Sequence, residues 1–516
     1  MSEKSPLHRA LDAIERLGDR LPDPVFIFAW IIGGLVIASV VCVGLGVSAV
    51  NPVDGGVLQA ESLLSAESLR NLLVEMPKTL TGFAPLGYVL LIMLGAGVAE
   101  RVGLLSAAIR VLVGVSPRRL VTPMVIFLGL ISNHAADTGF VILLPLAGAA
   151  FAAVGRHPVA GIAAAFAGVV GSFAGNPLPG QFDALILGLT EPAARLIDAD
   201  WTANLVGDWF FTAAGCAVFV PVGWWVTEKI VEPRLGAWTP AEGSTAPDAP
   251  LDPDERRGLR RAGLAALAVI LIWAALAVVP GGPLVDHETT GPARWTPFFR
   301  SLVAGFFVLF LASGVTYGLS VGAIRSDRDV VRLAGEAMAA MAPYIVLAFA
   351  AAHFIAMFTW SNLGAITAIH GAEALRATGL PIPVLLMGVV LLTAGLDMLI
   401  GSASAKWAAL APVLVPMLML LGVSPEMTTA AYRMGDSTVN MASPLMPYFG
   451  LVLGFCQRWK ADFGVGGLIS VMLPYSAALM AAGVVLTGLW AALEAPTGPG
   501  APMRYAAPAA TSSTAK

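Results

Sequence analysis

The chain has 516 residues, of which 57% are hydrophobic and only 12% are charged, whereas about a quarter of the residues in a soluble domain are charged. The formal net charge of −4 gives no indication of nucleic-acid binding. Three isolated cysteines and six scattered histidines indicate neither a disulfide framework nor a metal centre. The composition therefore predicts an all-α polytopic protein whose main partner is the lipid bilayer.

The first apolar run covers residues 24–53 and contains no charged residue. It exceeds the roughly 20 residues that a membrane-spanning helix needs. Residues 1–23 mix both signs of charge and repeat leucine or isoleucine at helical spacing, which predicts an amphipathic helix on the cytoplasmic surface of the membrane. This segment lacks the apolar core of a signal peptide.

The distribution of lysine and arginine predicts the orientation, because basic connections stay in the cytoplasm. The N-terminus and a polar linker, 228–261, are therefore expected inside. The linker separates a first half, 24–227, from a second half, 262–493, and the Ala- and Pro-rich tail 494–516 is predicted to be disordered. We expect nine transmembrane helices, two of them broken, in a bacterial inner membrane.

Two further apolar segments are interrupted in the middle by polar residues and are predicted to be re-entrant hairpins, 120–154 and 381–423. Each is followed by a broken helix, 159–189 or 428–455, with breaks near 171–183 and 436–447. An offset of 267 residues aligns four landmarks: Pro145 with Pro412, Gly155 with Gly422, Pro158 with Pro425 and Pro177 with Pro444. The hairpins are predicted to enter from opposite sides, so the halves form an inverted repeat, as in many secondary transporters.

The stretch 397–448 has the composition of membrane-spanning material, yet it contains Asp397, Lys406, Arg433 and Asp436. Ionisable residues at membrane depth are costly and indicate a functional site. Arg433 is a candidate for binding a substrate carboxylate, because a guanidinium offers a planar pair of donors. The alternative is an internal ion pair with Asp436, which lies three residues further along the same helical face.

Other candidates also have two interpretations. Trp407 would stack on an aromatic substrate or anchor a helix at the membrane interface. Asp183 would carry a proton or orient a substrate amine, or it would simply be solvated. Oxygen-bearing side chains at the interruptions would bind Na⁺ or serve as ordinary helix-packing contacts: Ser132, Asn133, Asn176, Ser402, Ser404 and Asn440. Ser402 and Ser404 are also candidates for binding the substrate.

The sequence contains five long and specific segments: LDAIERLGDRLPDP (11–24), TWSNLG (359–364), LIGSASAKW (399–407), SPEMTTAAYRMGDS (424–437) and SPLMPYF (443–449). In these segments the chain resembles the p-aminobenzoyl-glutamate transporter (AbgT) family. The resemblance implies a homodimer with nine helices and two hairpins per protomer, in which a scaffold bundle forms the dimer interface and an outer bundle carries the site. It also implies movement of p-aminobenzoyl-glutamate or related aminobenzoates, or export of sulfonamides, coupled to Na⁺ or H⁺.

The same resemblance implies which positions matter for transport: Asp183, Trp407, Pro425, Arg433 and Asp436. Asp397 departs from the family, which usually has asparagine there. The added carboxylate would titrate or strengthen cation binding, so Asp397 joins the candidates for ion coupling. No cofactor is expected apart from a Na⁺ ion as a candidate coupling ion.

Two other functions are alternatives. A dicarboxylate carrier of the wider ion-transporter fold would share this architecture but has no evident need for Trp407. An intramembrane enzyme would need a nucleophile with its base, or a metal motif such as HExxH, and the sequence shows neither. The sequence therefore predicts a transporter and not an enzyme.

Overall fold

The computed structural model describes residues 24–50, 55–114, 120–132, 139–238, 252–288, 294–397, 402–443, 446 and 448–506. Within them the first half contains α1 (Pro24–Gly44), β1 (Ser48–Val50), β2 (Val57–Gln59), α2 (Ala66–Val74), α3 (Met76–Thr81), α4 (Ala84–Arg101), α5 (Leu104–Gly114), α6 (Val121–Ile131), α7 (Leu144–Ala153), α8 (Pro158–Gly171), α9 (Gln181–Ala194) and α10 (Trp209–Val226). The two strands pair antiparallel, so a small ribbon interrupts the predicted all-α fold.

The second half begins with α11 (Pro253–Val278), α12 (Thr296–Ser320), α13 (Asp327–Ala340), α14 (Ala342–Trp360) and α15 (Leu363–Ala377). It continues with α16 (Ile382–Asp397), α17 (Ala403–Met419), α18 (Pro425–Val439), α19 (Phe449–Gln457) and α20 (Val465–Ala492). Among the described residues, five helical stretches are long and apolar enough to cross a membrane: Trp209–Leu235, Pro253–Val278, Thr296–Ser320, Ala342–Trp360 and Val465–Ala492. A membrane-type helical protein is therefore confirmed.

The predicted hairpins and broken helices correspond to pairs of shorter helices. The first hairpin segment contains α6 and α7, with a π-helical turn at Gly139–Leu143 leading into α7. The first broken helix divides into α8 and α9 around residues 172–180, where Pro177 and Pro179 cannot donate backbone hydrogen bonds. In the second half, α16 and α17 occupy the hairpin segment. The break after α18 starts with the 3₁₀ turn Asn440–Ala442, so Asp436 lies inside a regular helix.

The buried apolar residues form a large core and a smaller, separate one. The large core is built from α6 to α10 and α14 to α20. The smaller core includes Val98 of α4, Ala262 of α11 and Tyr317 of α12. The two groups of helices meet where α9 packs on α4, at a contact that includes Ile92, Ala184 and Leu205.

The boundaries of the predicted linker differ from the structure. The helix that begins as α10 continues through a π-helical turn, Thr227–Val231, as far as Leu235. On the other side, Asp252 caps the N-terminus of α11 together with Glu255. Helical residues thus extend from both sides into the segment 228–261.

The prediction of disorder is wrong for the first part of the tail, residues 494–506. The backbone N–H of Ser424 donates to the carbonyl of Met503 at 2.9 Å, and that of Phe210 donates to the carbonyl of Thr497 at 2.8 Å. Backbone pairing with neighbouring elements orders this segment despite its composition. The predicted N-terminal helix 1–23 and the remaining tail 507–516 lie outside the described residues.

A substitution at Gly435 can test the close packing of α18 against α16. A Cβ at this position would lie 2.0 Å from Thr393 Oγ1 and 2.2 Å from the carbonyl oxygen of Val390. We expect Gly435→Ala to destabilise the protein by about 1–3 kcal/mol, measured as a lower midpoint of thermal unfolding in detergent. Gly388→Ala on α16 is the control, because a Cβ added there would meet no atom within 4 Å. Equal midpoints for the two variants would contradict the packing.

Candidate functional site

Arg433 lies inside α18 and is 1% exposed. Its Nη1 donates to Oδ1 of Asp183 at 2.6 Å and to Oδ2 of Asp208 at 2.5 Å. Its Nε donates to the backbone carbonyl of Phe173 at 2.5 Å. One guanidinium therefore connects α18 with α9, with the start of α10 and with the break between α8 and α9.

Asp183 owes its position to the start of α9. Its Oδ2 accepts a hydrogen bond from the backbone N–H of Gly180 at 2.6 Å, and a carboxylate is stabilised at a helix N-terminus by the helix dipole. The side chain is 1% exposed, so the alternative that Asp183 is merely solvated is wrong. The Phe182 ring lies beside this cluster, with its centroid 5.4 Å from the Arg433 guanidinium carbon.

Lys406 forms a second buried cluster of charges. It lies in the first turn of α17, is 1% exposed, and makes ion pairs with Asp397 at the end of α16 and with Asp436 of α18. The distance from Nζ to Asp436 Oδ1 is 2.7 Å. The Tyr432 hydroxyl donates to the carbonyl of Ala403 at 2.5 Å and also lies 3.3 Å from Asp436.

The alternative of an internal ion pair between Arg433 and Asp436 is therefore wrong. Each residue instead pairs with groups from other helices, because tertiary packing supplies Asp183 and Asp208 to the arginine and Lys406 to the aspartate. The two clusters nevertheless remain linked, since Arg433 and Asp436 are separated by less than one turn of α18.

Each cluster combines two carboxylates with one basic group. Three of their buried polar atoms have no hydrogen-bond partner within the described part of the chain: Asp397 Oδ2, Asp436 Oδ2 and Arg433 Nη2. A buried polar atom without a hydrogen-bond partner costs about 1–3 kcal/mol, and more where the group is charged. A proton, a cation or a substrate group that supplies the missing interactions therefore has a physical reason to enter.

Trp407 is fully buried and holds three helices together. Its ring stacks on Tyr432 of α18 with centroids 4.3 Å apart. Its Nε1 donates to Thr190 Oγ1 of α9 at 3.0 Å, and Thr190 is 2.7 Å from the hydroxyl of Thr429. This burial contradicts the alternative role as a lipid-interface anchor. Stacking of Trp407 on a substrate remains a prediction.

Three other predicted residues shape the start of α17 and α18. Ser402 caps α17 by accepting a hydrogen bond from the backbone N–H of Ala405 at 3.4 Å. Ser404 is half-buried in the same turn. Pro425 is the first residue of α18, where its missing N–H costs no helical hydrogen bond. These residues place Lys406, Trp407 and Arg433 but make no contact that assigns them a ligand.

The predicted cation ligands lie on several elements of the structure. Ser132 donates to the carbonyl of Gly129 at 2.6 Å, within the last turn of α6. Asn176 and Asn440 are buried in the two breaks, where Asn176 Nδ2 and Asn440 Oδ1 have no partner among the described residues. Asn133 lies outside those residues. The described ranges contain no group of three His, Cys, Asp or Glu side chains that could hold a metal ion.

Sequence reasoning missed Asp208, and it noted Lys406 without assigning it to the site. Asp208 directly precedes α10 and is 1% exposed. Both residues could have been recognised as candidates from the sequence in the same way, because each is a charged residue inside an apolar segment. Their partners could not be identified from the sequence, since Asp208 and Arg433 are 225 residues apart.

Comparisons with known proteins agree with this architecture. Residues 9–505 match the model of the AbgT putative transporter family. The p-aminobenzoyl-glutamate transport protein of Escherichia coli (strain K12) is 37% identical over 489 residues, which are 94% of this chain and 95% of that protein. Both the family and this relative are described as transporters, and the predicted resemblance is confirmed.

Two solved structures are also similar. The Alcanivorax borkumensis YdaH transporter has 43% sequence identity and a TM-score of 0.85, and the match covers 93% of this chain and 100% of that one. Neisseria gonorrhoeae MtrF, described as illuminating a class of antimetabolite efflux pumps, has 42% identity and a TM-score of 0.88. That match covers 95% of this chain and 100% of MtrF.

Lys406 allows a direct test of the second cluster. Lys406→Met leaves two buried carboxylates without a cation, and we expect a loss of about 3–5 kcal/mol in unfolding free energy. Adding Asp397→Asn removes one of these charges and should recover part of the loss. The measurement is thermal unfolding of the purified protein in detergent.

The control for this test is Arg332→Gln, which breaks an exposed ion pair with Glu336 at 2.8 Å. An exposed pair of this kind contributes less than about 1 kcal/mol. If Lys406→Met lowered the unfolding free energy as little as Arg332→Gln does, that result would contradict the ion pairs described for the buried cluster.

Proposed function

Because the chain belongs to the AbgT putative transporter family, we propose that it is a secondary active transporter of p-aminobenzoyl-glutamate and related aminobenzoates. The name of the Escherichia coli relative supports the substrate, and the similarity to MtrF supports an extension to sulfonamide antimetabolites. The proposal includes coupling to a Na⁺ or H⁺ gradient. It also includes a homodimer in the bacterial inner membrane, with nine transmembrane helices, two re-entrant hairpins in an inverted repeat, and a cytoplasmic N-terminus.

The observation that carries the proposal is the buried Arg433, held by two aspartates from different helices. p-Aminobenzoyl-glutamate carries two carboxylates, and a guanidinium binds a carboxylate through two parallel hydrogen bonds. Nη1 is occupied by Asp183 and Asp208, whereas Nη2 has no partner among the described residues. A substrate carboxylate that replaces one aspartate would use both nitrogens.

Aromatic side chains near Arg433 suit the aminobenzoyl ring. Phe182 lies next to the guanidinium and stacks on Phe173, with centroids 4.6 Å apart. Both rings are half-buried, so they retain surface for a ligand. The stacked pair of Trp407 and Tyr432 lies close by, since Tyr432 directly precedes Arg433 in α18. Offset aromatic stacking contributes about 0.5–1.5 kcal/mol beyond burial.

The Lys406 cluster supports the coupling part of the proposal. Asp397 and Asp436 share one lysine, and a proton or a Na⁺ ion would neutralise the remaining negative charge. Asp436 and Arg433 lie on the same helix, so movement of α18 would affect both clusters. Binding of the coupling ion and binding of substrate would thereby bias the same conformational equilibrium.

The test is uptake of labelled p-aminobenzoyl-glutamate by the intact protein in proteoliposomes, with Na⁺ and pH gradients imposed separately. We expect saturable uptake that follows one of the gradients. Arg433→Lys keeps the charge but loses the planar pair of donors, so uptake should fall at least about tenfold, the effect of about 1.4 kcal/mol. Arg328→Lys is the control, because Arg328 is exposed on α13.

Lack of uptake by the intact protein under either gradient would refute the substrate assignment. Equal rates for Arg433→Lys and the control would refute the role of Arg433. A competition assay with succinate tests the alternative function, a dicarboxylate carrier. Succinate should compete strongly with p-aminobenzoyl-glutamate only if the aminobenzoyl ring adds nothing to binding.

A further inference from the structure

A cavity of about 360 Å³ lies between the two groups of helices, at the contact of α9 with α4 and the start of α12. The residues of α9 that line it, together with the residue that follows the helix, are Ala184, Leu187, Gly188, Glu191 and Arg195. Their spacing of three or four residues, with one adjacent pair, places them on one face of the helix. The volume falls within the range of small-molecule binding pockets, about 300–1,000 Å³.

The cavity runs along α9 from the level of the Arg433 cluster to the end of the helix. Ala184 at one end is the neighbour of Asp183, which binds Arg433. Arg195 at the other end follows the last residue of α9, about 16 Å away at 1.5 Å per residue. Thr190, which bonds Trp407, does not line the cavity. One helix therefore contributes to both the central site and this cavity.

Glu191 is the buried carboxylate of the cavity, and its partners satisfy it. It accepts hydrogen bonds from the backbone N–H of Ala203 at 3.0 Å and from the Tyr88 hydroxyl at 3.4 Å. Arg195 pairs with it at 2.5 Å. The charges of Glu191 and Arg195 therefore cancel.

The lining of the cavity has a net positive charge because of Arg300. Its Nη2 donates to Thr202 Oγ1 at 2.9 Å, but within the described ranges it makes no ion pair with a carboxylate. A guanidinium has five N–H donors, so Arg300 retains donors for an incoming anion. Arg433, by contrast, already holds Asp183 and Asp208.

We propose that this cavity, the Arg300 cavity, is a second anion site that binds a carboxylate of the substrate on its way to or from Arg433. The inference rests on the proposed function, because it takes the transported molecule to be a dianionic aminobenzoyl amino acid. A cationic cleft raises the local concentration of an anion and its rate of association. The Arg300 cavity thus supplies an initial attraction that the buried Arg433, whose charge is already paired with Asp183 and Asp208, does not supply.

The test compares Arg300→Gln, Arg300→Lys and Arg294→Gln in the full chain, reconstituted in proteoliposomes. Arg300→Gln should raise the KM for p-aminobenzoyl-glutamate about fivefold at low salt, the effect of the roughly 1 kcal/mol that an exposed charge pair contributes, without changing the maximal rate. Arg300→Lys should restore most of this loss. Arg294→Gln removes the same charge from a position that is exposed, as Arg300 is, but does not line the cavity, and its KM should not change.

A second readout uses p-aminobenzoate, which has one carboxylate, and a range of salt concentrations. The effect of Arg300→Gln should be smaller for p-aminobenzoate and should shrink as salt screens the charge. An unchanged KM in Arg300→Gln, or an equal rise in Arg294→Gln, would overturn the second site while leaving the proposed function intact. If the unmodified protein neither binds nor moves p-aminobenzoyl-glutamate, the proposed function fails and this inference fails with it.

Discussion

Two buried basic groups, each shared by two carboxylates, are the constraint on which the structure around the site depends. Arg433 is held by Asp183 and Asp208, and Lys406 by Asp397 and Asp436. Transferring a charge from water into the protein interior costs free energy. Deleting one partner of a buried ion pair costs more, because the other charge is left unpaired. The helices that bear these six side chains must therefore stay together or exchange partners in step with a ligand.

The breaks in the helices follow from this constraint. The interruption at 172–180 brings the carbonyl of Phe173 and the N-terminus of α9 to Arg433. Asp397 at the end of α16 lies beside Lys406 in the first turn of α17. Irregular backbone at membrane depth is tolerated where protein or a cavity satisfies its polar groups. In this chain the interruptions allow side chains far apart in sequence to share one charged site.

Much of this arrangement could be predicted from the sequence. Apolar run lengths, prolines and the charged stretch 397–448 located the helices and the breaks and singled out Arg433 and Asp436 as candidates. The partners could not be predicted, because periodicity describes neighbours within a helix, whereas Asp208 and Lys406 reach the site through tertiary packing. Composition also gave a wrong prediction of disorder for residues 494–506, because backbone hydrogen bonds to other elements order this segment.

Under the proposed function, a substrate carboxylate competes with an internal aspartate for Arg433. The most direct measurement is the equilibrium affinity of the purified protein for p-aminobenzoyl-glutamate, with and without Asp208→Asn. Since the amide would hold the guanidinium less strongly than the carboxylate does, the account predicts tighter binding by the variant, by about tenfold or more. Weaker or unchanged binding would show that Asp208 does not compete with the substrate, and would contradict the account.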